Sequence, residues 1–212
     1  MLTIFDRIIS LIIGYAFGCF QTAYILGKTV KGVDVRNFGS GNLGTTNAFR
    51  VLGKKLGLIT FASDVLKAVV AFFIARAIYD DSQIAGIYAG LGVVMGHNWP
   101  FYLNFKGGKG VAVTSGILLC INPLASIIIT GSMLILIFIT KYVSLGSILG
   151  MLVMIAYSIV RYRANTEMLI LIIIIGAISI FKHRENIKRL IKGKENRIED
   201  KKIQIVDEGT EE

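Results

Sequence analysis

Residues 39–50, GSGNLGTTNAFR, concentrate residue types that bind anions. Glycines permit left-handed backbone angles that turn several N–H groups toward one point, and hydroxyl and amide side chains add neutral donors. The guanidinium of Arg50 can bind two oxygens of an oxyanion at once. A flexible loop with incidental polar residues would have the same composition. The functional interpretation is a phosphate-binding loop with the candidate contacts Gly39, Ser40, Gly41, Asn42, Gly44, Thr46 and Asn47.

A second glycine-rich stretch, residues 96–113, reads GHNWPFYLNFKGGKGVAV. Lys106 and Lys109 flank a glycine turn that precedes an apolar run, so two ammonium groups, turn N–H groups and a helix N-terminus could meet one phosphate ester. The spacing differs from that of a Walker A loop. His97 lies between the preceding apolar run and this turn, where a structural and a catalytic role are equally compatible with the sequence. The glycines of this candidate site are Gly107, Gly108 and Gly110.

Two further stretches carry ionisable residues beside or inside apolar runs. In FKHRENIKRL, residues 181–190, a continuing helix would place His183 and Asn186 on one face. Asp64 and Lys67 have the same i, i+3 spacing within an apolar run, where ionisable groups are costly and seldom idle. Either the two form a structural ion pair, or Lys67 is directed at an anionic substrate.

The composition is that of a membrane protein. Of 212 residues, 54% are hydrophobic and 17% are charged, and the mean hydropathy is +0.66. Because a backbone in lipid must satisfy its own polar groups, the continuous apolar runs predict an all-α polytopic fold and not a barrel of alternating strands. A crossing helix needs roughly 20 residues. Seven spans are expected, near residues 8–27, 56–79, 84–102, 108–121, 124–140, 145–160 and 167–182.

The distribution of basic residues orients these spans. With seven spans and the N-terminus outside, the Lys and Arg residues of most polar segments collect on one face, whereas Arg7, Arg161 and Arg163 lie on the other. The positive-inside rule makes the basic face, with the C-terminus, cytoplasmic. A single kinked helix over 108–140 would give six spans and place the basic tail outside. The net charge of +9 is therefore a topological signal that requires no nucleic-acid partner.

The chain is expected to hold one transmembrane domain, residues 1–192, and a charged, mobile cytoplasmic tail, residues 193–212. Cys19 and Cys120 both fall within apolar runs, which argues against a disulfide framework or a metal cluster. Neither a metal nor a cofactor is expected.

These motifs together resemble the acyl-phosphate:glycerol-3-phosphate acyltransferase family (PlsY) of bacterial inner membranes. GSGNLGTTNAFR is similar to the family's first cytoplasmic signature, SDVLKA to the second, GHNWPFYLNFKGGKGVA to the third and KHRENIKRL to its C-terminal stretch. The resemblance extends over residues 8–193. The chain departs from the usual pattern at Leu43, where proline is common, at Ala68, where glycine is common and a proline follows, and at Val113, where threonine is common.

The resemblance implies an enzyme of phospholipid synthesis in a bacterial inner membrane, with its active site facing the cytoplasm. The family transfers a fatty acyl group from acyl phosphate to the sn-1 hydroxyl of glycerol 3-phosphate, which gives lysophosphatidic acid and inorganic phosphate. The phosphate and glycerol contacts would be the glycines and amides named above with Thr46, Lys67 and Lys109. The implied catalytic residues are Ser40, Arg50, His97, Lys106, His183 and Asn186.

The mechanism and the assembly leave alternatives open. Neither a Ser–His–Asp arrangement nor a cysteine nucleophile is apparent, which predicts direct transfer by positioning and charge stabilisation. The base is His97, His183 or the substrate phosphate, which we favour because neither histidine has a convincing carboxylate neighbour in the sequence. We expect a monomer that contacts membrane lipids, and the enzyme that forms acyl phosphate is a further candidate partner. An organophosphate carrier is the alternative from another class, although no internal repeat is visible.

Overall fold

The computed structural model describes residues 2–198, and this part of the chain is all helical. The all-α prediction is therefore confirmed for the described residues. Two short 3-10 turns, Val35–Asn37 and Phe101–Leu103, lie in loops. The α-helices are α1 (Ile4–Cys19), α2 (Thr22–Lys31), α3 (Thr45–Val51), α4 (Lys54–Ile78), α5 (Gln83–Asn98), α6 (Val111–Ile121), α7 (Pro123–Thr140), α8 (Val143–Arg161), α9 (Thr166–Lys182) and α10 (Arg184–Ile191).

Four helical segments are long and apolar enough to cross a membrane: the segment formed by α1 and α2 together, and α4, α7 and α8. A fifth candidate combines α9 with α10, which meet at an angle of 54°. The remaining long helices, α5 and α6, have 16 and 11 residues. Every expected span coincides with one helix or with a broken pair of helices. The count of seven crossings stays a prediction, because it requires α5 and α6 to cross as well.

The break between α6 and α7 follows from Asn122 and Pro123. The Oδ1 atom of Asn122 accepts a hydrogen bond from the Ala125 N–H at 3.0 Å and so caps α7, and Pro123 occupies the first helical position, where its missing N–H costs nothing. The Asn122 Nδ2 group also donates to the Tyr157 hydroxyl of α8 at 3.0 Å. The predicted turn is confirmed, and residues 108–140 do not form one kinked helix.

The outer faces of the peripheral helices are apolar. On α7 the side chains of Ile127, Ile128, Ile135 and Phe138 are all exposed. Contiguous exposed apolar surface of this kind marks a surface that another apolar phase covers. Since such side chains recur around the bundle, the exposed face is suited to lipid.

Helices α1 and α5 pack backbone against backbone. Each glycine of this contact lies so close to the opposite helix that an added Cβ atom would overlap backbone atoms there. Small residues permit this approach, which supplies van der Waals contact where lipid removes the usual hydrophobic driving force. Together with its contacts to α4, α6 and α9, this packing buries α5 along most of its length. The glycines are Gly14 and Gly18 on α1 and Gly92 and Gly96 on α5.

Two loops and residues 193–198 lie at one end of the bundle, which we call the site end. The motif loop (residues 38–44) precedes α3, and the lysine loop (residues 104–110) precedes α6. Residues 193–198 follow α10 and contact the same end, where Ile198 N–H donates to the Lys141 carbonyl oxygen. Residues 199–212 of the predicted tail lie outside the described residues, so their mobility stays a prediction.

Replacing Gly18 with alanine tests the α1–α5 contact. The added methyl group would overlap the Val93 carbonyl, and over-packing of this kind typically costs about 1–3 kcal/mol. We expect Gly18→Ala to lower the free energy of unfolding by that amount, measured by denaturant unfolding in mixed micelles. Gly131→Ala in α7 is the matched control, since no described atom outside the neighbouring backbone of α7 lies within 4 Å of the added group. Equal losses in both variants would contradict the close contact.

Candidate active site

The motif loop is wrapped around the buried side-chain amide of Asn47 in α3. The Oδ1 atom of Asn47 accepts a hydrogen bond from the Ser40 N–H at 2.9 Å, and its Nδ2 group donates to two preceding backbone carbonyl oxygens at 3.1 and 3.2 Å. Gly39 has a φ of 61°, and a Cβ atom there would overlap the Asn47 amide, so only glycine fits. The loop therefore has a fixed shape, with Ser40 exposed on its outer side.

Three N–H groups of the motif loop already have acceptors within the loop and α3. Ser40 N–H donates to Asn47, Gly41 N–H to the Phe38 carbonyl oxygen at 3.0 Å, and Gly44 N–H to Asn42 Oδ1 at 3.0 Å. These three groups are not the donors that the glycine content predicted for an anion. In this conformation the loop offers a phosphate the exposed Ser40 hydroxyl, because the Asn42 and Asn47 amides are hydrogen-bonded within the protein as well.

Leu43 fixes the motif loop to the apolar interior of the site end. Its side chain is buried in a small apolar cluster that includes Val35, Ala48 and Leu103. The position that departs from the family pattern is thus filled by packing against the rest of the site end. Ala68, the departure in α4, is also fully buried and faces Gly116 of α6.

The motif loop and the lysine loop are joined by a hydrogen bond. The Nδ2 group of Asn42 donates to the Gly107 carbonyl oxygen at 3.1 Å. The lysine loop is in turn pressed onto the end of α5, where Gly108 N–H donates to the His97 carbonyl oxygen at 2.8 Å. A Cβ atom on Gly108 would overlap the His97 ring, and one on Gly107 would overlap the His97 carbonyl. Two of the predicted site glycines are therefore required by close packing on His97.

Lys67 forms the centre of a buried polar cluster beneath the lysine loop. Its Nζ atom lies 2.7 Å from Asp64 Oδ1 and 2.8 Å from the Phe20 carbonyl oxygen, at the break between α1 and α2. The same nitrogen lies 3.0 Å from His97 Nδ1 and 3.4 Å from the Gly18 carbonyl oxygen. Of the two interpretations of Asp64 and Lys67, the structural ion pair describes the observed geometry, and His97 is hydrogen-bonded to the same ammonium group.

The cluster determines the protonation of His97. An ammonium group can only donate hydrogen bonds, so His97 Nδ1 accepts the bond from Lys67 and the ring proton resides on Nε2. Nε2 faces Gly108 of the lysine loop. Since Nδ1 is bonded and Nε2 is covered, this geometry gives His97 a structural position and does not present it as a base.

A second cluster joins the lysine loop to the end of α9. The Lys109 Nζ group donates to Asn186 Oδ1 at 2.5 Å, and the Lys109 carbonyl oxygen accepts a hydrogen bond from the Ser179 hydroxyl at 2.7 Å. Asn186 is buried on α10. The third motif and the C-terminal stretch therefore meet at Lys109, as a shared substrate site requires.

His183 lies at the break between α9 and α10, so the helix does not continue straight through this stretch. Its Nδ1 atom is 2.8 Å from the Ser179 carbonyl oxygen, which can only accept, so Nδ1 carries the proton and Nε2 is the acceptor nitrogen. The two histidines consequently have opposite tautomers. Of the two, His183 presents the unprotonated nitrogen that a base needs.

The cations at the site end differ in exposure. Lys106 is exposed, whereas the largely buried Lys109 loses hydration, which lowers its pKa to about 8. Arg50 lies close enough to Lys109 to add to this lowering, and its Nη2 group donates to the Arg197 carbonyl oxygen at 3.3 Å. Lys109 and Arg50 are thus grouped at one position, with Lys106 at the edge of the site.

Three residues of the site were missed in the sequence. Ser179 fixes the Lys109 backbone, Glu195 accepts hydrogen bonds from Asn186 and Arg189, and Gln21 donates to the His97 carbonyl oxygen at 3.2 Å. Gln21 has a recognisable signal, a lone amide within an apolar run. Ser179 and Glu195 have none, because a serine in an apolar helix and a glutamate in a charged segment are common.

The chain matches the family model described as glycerol-3-phosphate acyltransferase over residues 8–193. The glycerol-3-phosphate acyltransferase of Thermoanaerobacter pseudethanolicus is 42% identical, with 90% of this chain and 95% of that relative covered. The corresponding enzyme of Clostridioides difficile is 44% identical, with 94% and 98% covered.

Two solved structures have the same fold. The crystal structure of PlsY (YgiH), an integral membrane glycerol 3-phosphate acyltransferase, in its glycerol 3-phosphate form has a TM-score of 0.81 and 36% identity. Its lysophosphatidic acid form has a TM-score of 0.79 and 35% identity. Each comparison covers 90% of this chain and 94% of the other. Sequence and fold agree over nearly the whole length, and the chain belongs to the glycerol-3-phosphate acyltransferase family of integral membrane proteins.

Proposed function

We propose that this protein transfers a fatty acyl group from acyl phosphate to the sn-1 hydroxyl of glycerol 3-phosphate, with lysophosphatidic acid and inorganic phosphate as products. The observation that carries the proposal is the meeting of Lys109, Asn186 and the motif loop at one end of an apolar bundle. Both substrates carry phosphate and one carries a long apolar chain, so a cationic site at the end of lipid-facing helices suits them. The solved relatives in glycerol 3-phosphate and lysophosphatidic acid forms support the acceptor and the product.

The transfer is direct in this proposal. The hydroxyl oxygen of glycerol 3-phosphate forms a bond to the acyl carbonyl carbon, the bond from that carbon to the phosphate oxygen breaks, and inorganic phosphate leaves with the electron pair. The hydroxyl proton passes to the phosphate of glycerol 3-phosphate, which is our preferred base. The His183 Nε2 atom is the alternative proton acceptor. His97 is not one, because its Nδ1 atom already accepts from Lys67 and its protonated Nε2 atom is covered by Gly108. Acyl phosphate is already activated, so positioning and charge stabilisation suffice.

In this mechanism one group of residues contacts or attracts the substrates, and a second group positions the two loops. Lys109 and Arg50 stabilise the phosphate charges. Ser40 donates from the motif loop and Thr46 from the first turn of α3. Asn186 with His183 orients the glycerol. Lys106, at the exposed edge, attracts the anions. Lys67 and His97 act as positioning residues that hold the lysine loop on α5, and the loop glycines give the two loops their shape. This division rests on the contacts of Lys109 and Lys67 described above.

The proposal includes the membrane arrangement. The protein has seven spans, its N-terminus is outside, and the site end faces the cytoplasm of a bacterium at the inner membrane. The asymmetric distribution of Lys and Arg supports this orientation. The protein acts as a monomer and receives acyl phosphate through the membrane or from the enzyme that forms it.

The donor can be identified with purified protein in detergent or lipid mesophase. We expect palmitoyl phosphate with glycerol 3-phosphate to give equimolar inorganic phosphate and lysophosphatidic acid, and palmitoyl-CoA to give neither. Ser40→Ala and Arg50→Ala should each lower kcat about 100-fold or more, as removal of one preorganised donor does. Equal turnover with palmitoyl-CoA would contradict the donor. Lack of turnover by folded protein, together with glycerol 3-phosphate uptake into vesicles, would favour the carrier.

The two lysines of the lysine loop should respond differently to removal of charge. Lys109→Met removes a buried, hydrogen-bonded ammonium, and losses of about 2–5 kcal/mol are typical of such groups, so kcat/KM should fall at least 30-fold. Lys106→Met removes an exposed charge and should raise the KM for glycerol 3-phosphate only a few-fold, an effect that added salt diminishes. The two variants are compared in initial-rate assays at low and high ionic strength. A larger loss in Lys106→Met would reverse the assignment.

The pH dependence should report Lys109. Its pKa in the free protein is about 8, so the ammonium that binds phosphate is present below that pH and is lost above it. We therefore expect the affinity for glycerol 3-phosphate to fall as the pH rises through about 8. The phosphate of the substrate becomes a dianion above a pH of about 6, which places the strongest binding between the two values. Measuring KM from pH 6 to 9.5 tests this expectation, and a constant KM across pH 8 would contradict it.

A further inference from the structure

The segment after α10 returns a carboxylate to the site. Gly193, with a φ of 64°, reverses the chain, and the Glu195 side chain folds back onto α10 with only 5% of it exposed. Its Oε1 atom accepts a hydrogen bond from Asn186 Nδ2 at 2.7 Å, and its Oε2 atom accepts one from Arg189 Nε at 2.9 Å. Because this carboxylate is nearly buried and both its oxygens accept hydrogen bonds, its position and orientation are fixed.

The contact sets the orientation of the Asn186 amide. A carboxylate can only accept, so Glu195 requires the NH2 end of the amide and leaves the carbonyl end for Lys109. The reverse orientation would place two acceptors against each other on one side and two donors on the other. Glu195 thereby directs the Lys109 ammonium through an intervening side chain.

We propose that Glu195 is a positioning residue for acyl transfer, which orients Asn186 toward Lys109 and keeps the Lys109 ammonium charged and directed into the site. The inference rests on the proposed function and deepens it, because it adds to the phosphate site a negative group that touches neither substrate.

Electrostatics act in the same direction as the geometry. Burial lowers the pKa of Lys109, and Glu195 raises it. The cations facing Lys109 add to the lowering, and the nearby His183 is neutral in its hydrogen-bonded tautomer. Without Glu195 the ammonium would lose its proton at a lower pH. The cations come from three helices: Arg50 of α3, Lys182 of α9 and Arg189 of α10.

The segment that carries Glu195 is attached beyond it as well. Arg197 Nε donates to the Tyr142 hydroxyl at 3.2 Å, and Ile198 N–H donates to the Lys141 carbonyl oxygen at 2.9 Å, at the turn between α7 and α8. The carboxylate is therefore held between two attachments of the chain, one at α10 and one at this turn.

The experiment compares two variants of the full chain, Glu195→Gln and Glu195→Ala, with Glu185→Gln as the control. Glu185 is an exposed glutamate on α10 that pairs with Lys188, so the control changes the net charge equally. Steady-state rates are measured with palmitoyl phosphate and glycerol 3-phosphate from pH 6 to 9.5. The pKa of Lys109 is measured separately by competitive acetylation and mass spectrometry, a readout that does not need turnover. Thermal unfolding confirms that each variant is folded.

Glu195→Gln should shift the alkaline limb of the profile, and the measured pKa of Lys109, about one unit to lower pH, as loss of a nearby opposite charge does. Glu195→Ala should also raise the KM for glycerol 3-phosphate about tenfold, because the amide is no longer oriented. Glu185→Gln should leave both unchanged. A merely structural role would lower the rate without moving the Lys109 pKa.

Three results would overturn the proposal. An unchanged Lys109 pKa with an unchanged KM would remove both of its parts. Faster turnover in Glu195→Ala would show that the carboxylate competes with the substrate phosphate. A shift of equal size in Glu185→Gln would assign the effect to net charge. If the unaltered protein lacks turnover, the proposed function fails, and the acetylation result still decides whether Glu195 controls Lys109.

Discussion

The structure of the site end depends on the hydrogen bonds and the ion pair of one buried ammonium group, that of Lys67. A charged amine deep in a bundle is tolerable only when its hydrogen bonds are satisfied, and here Asp64, the His97 ring and two backbone carbonyls of the α1–α2 break surround it. Those carbonyls can accept from side chains because α1 ends at Cys19 and the helical hydrogen bonds stop there. The break, the ion pair and the histidine therefore form one unit, and none of the three would be stable in apolar surroundings alone.

Contacts from this cluster to the lysine loop and to α9 fix the rest of the site end. His97 supports the lysine loop through Gly108, the loop presents Lys109, and the end of α9 fixes Lys109 through Ser179. The opposite tautomers of the two histidines reflect their partners, an ammonium for His97 and a carbonyl for His183. The proton positions of both histidines are thus determined by the fold. Polar groups fixed in this way around the charges of Lys67 and Lys109 give the preorganisation that transition-state stabilisation requires.

The sequence predicted the helices well because long apolar runs are a strong signal, and the turn at Asn122 and Pro123 was readable from cap chemistry. It did not predict the breaks after Cys19 and at His183, since no glycine or proline stands at either break and tertiary contacts decide them. The motifs identified the right loops, but spacing cannot tell which of two lysines turns inward. Lys109 does so because Ser179 holds its backbone, and Ser179 lies 70 residues away in the chain.

The glycine contact between α1 and α5 also limits where a hydrocarbon chain can lie. Two helices whose backbones touch leave no groove between them, and a methylene chain needs about 4 Å of width. The α1–α5 contact, which lies beside Lys67 and His97, is therefore closed to lipid chains along its length. A fatty acyl chain that reaches the two loops must run along another side of the bundle. The close contact thus separates the path of the acyl chain from the residues that support the lysine loop.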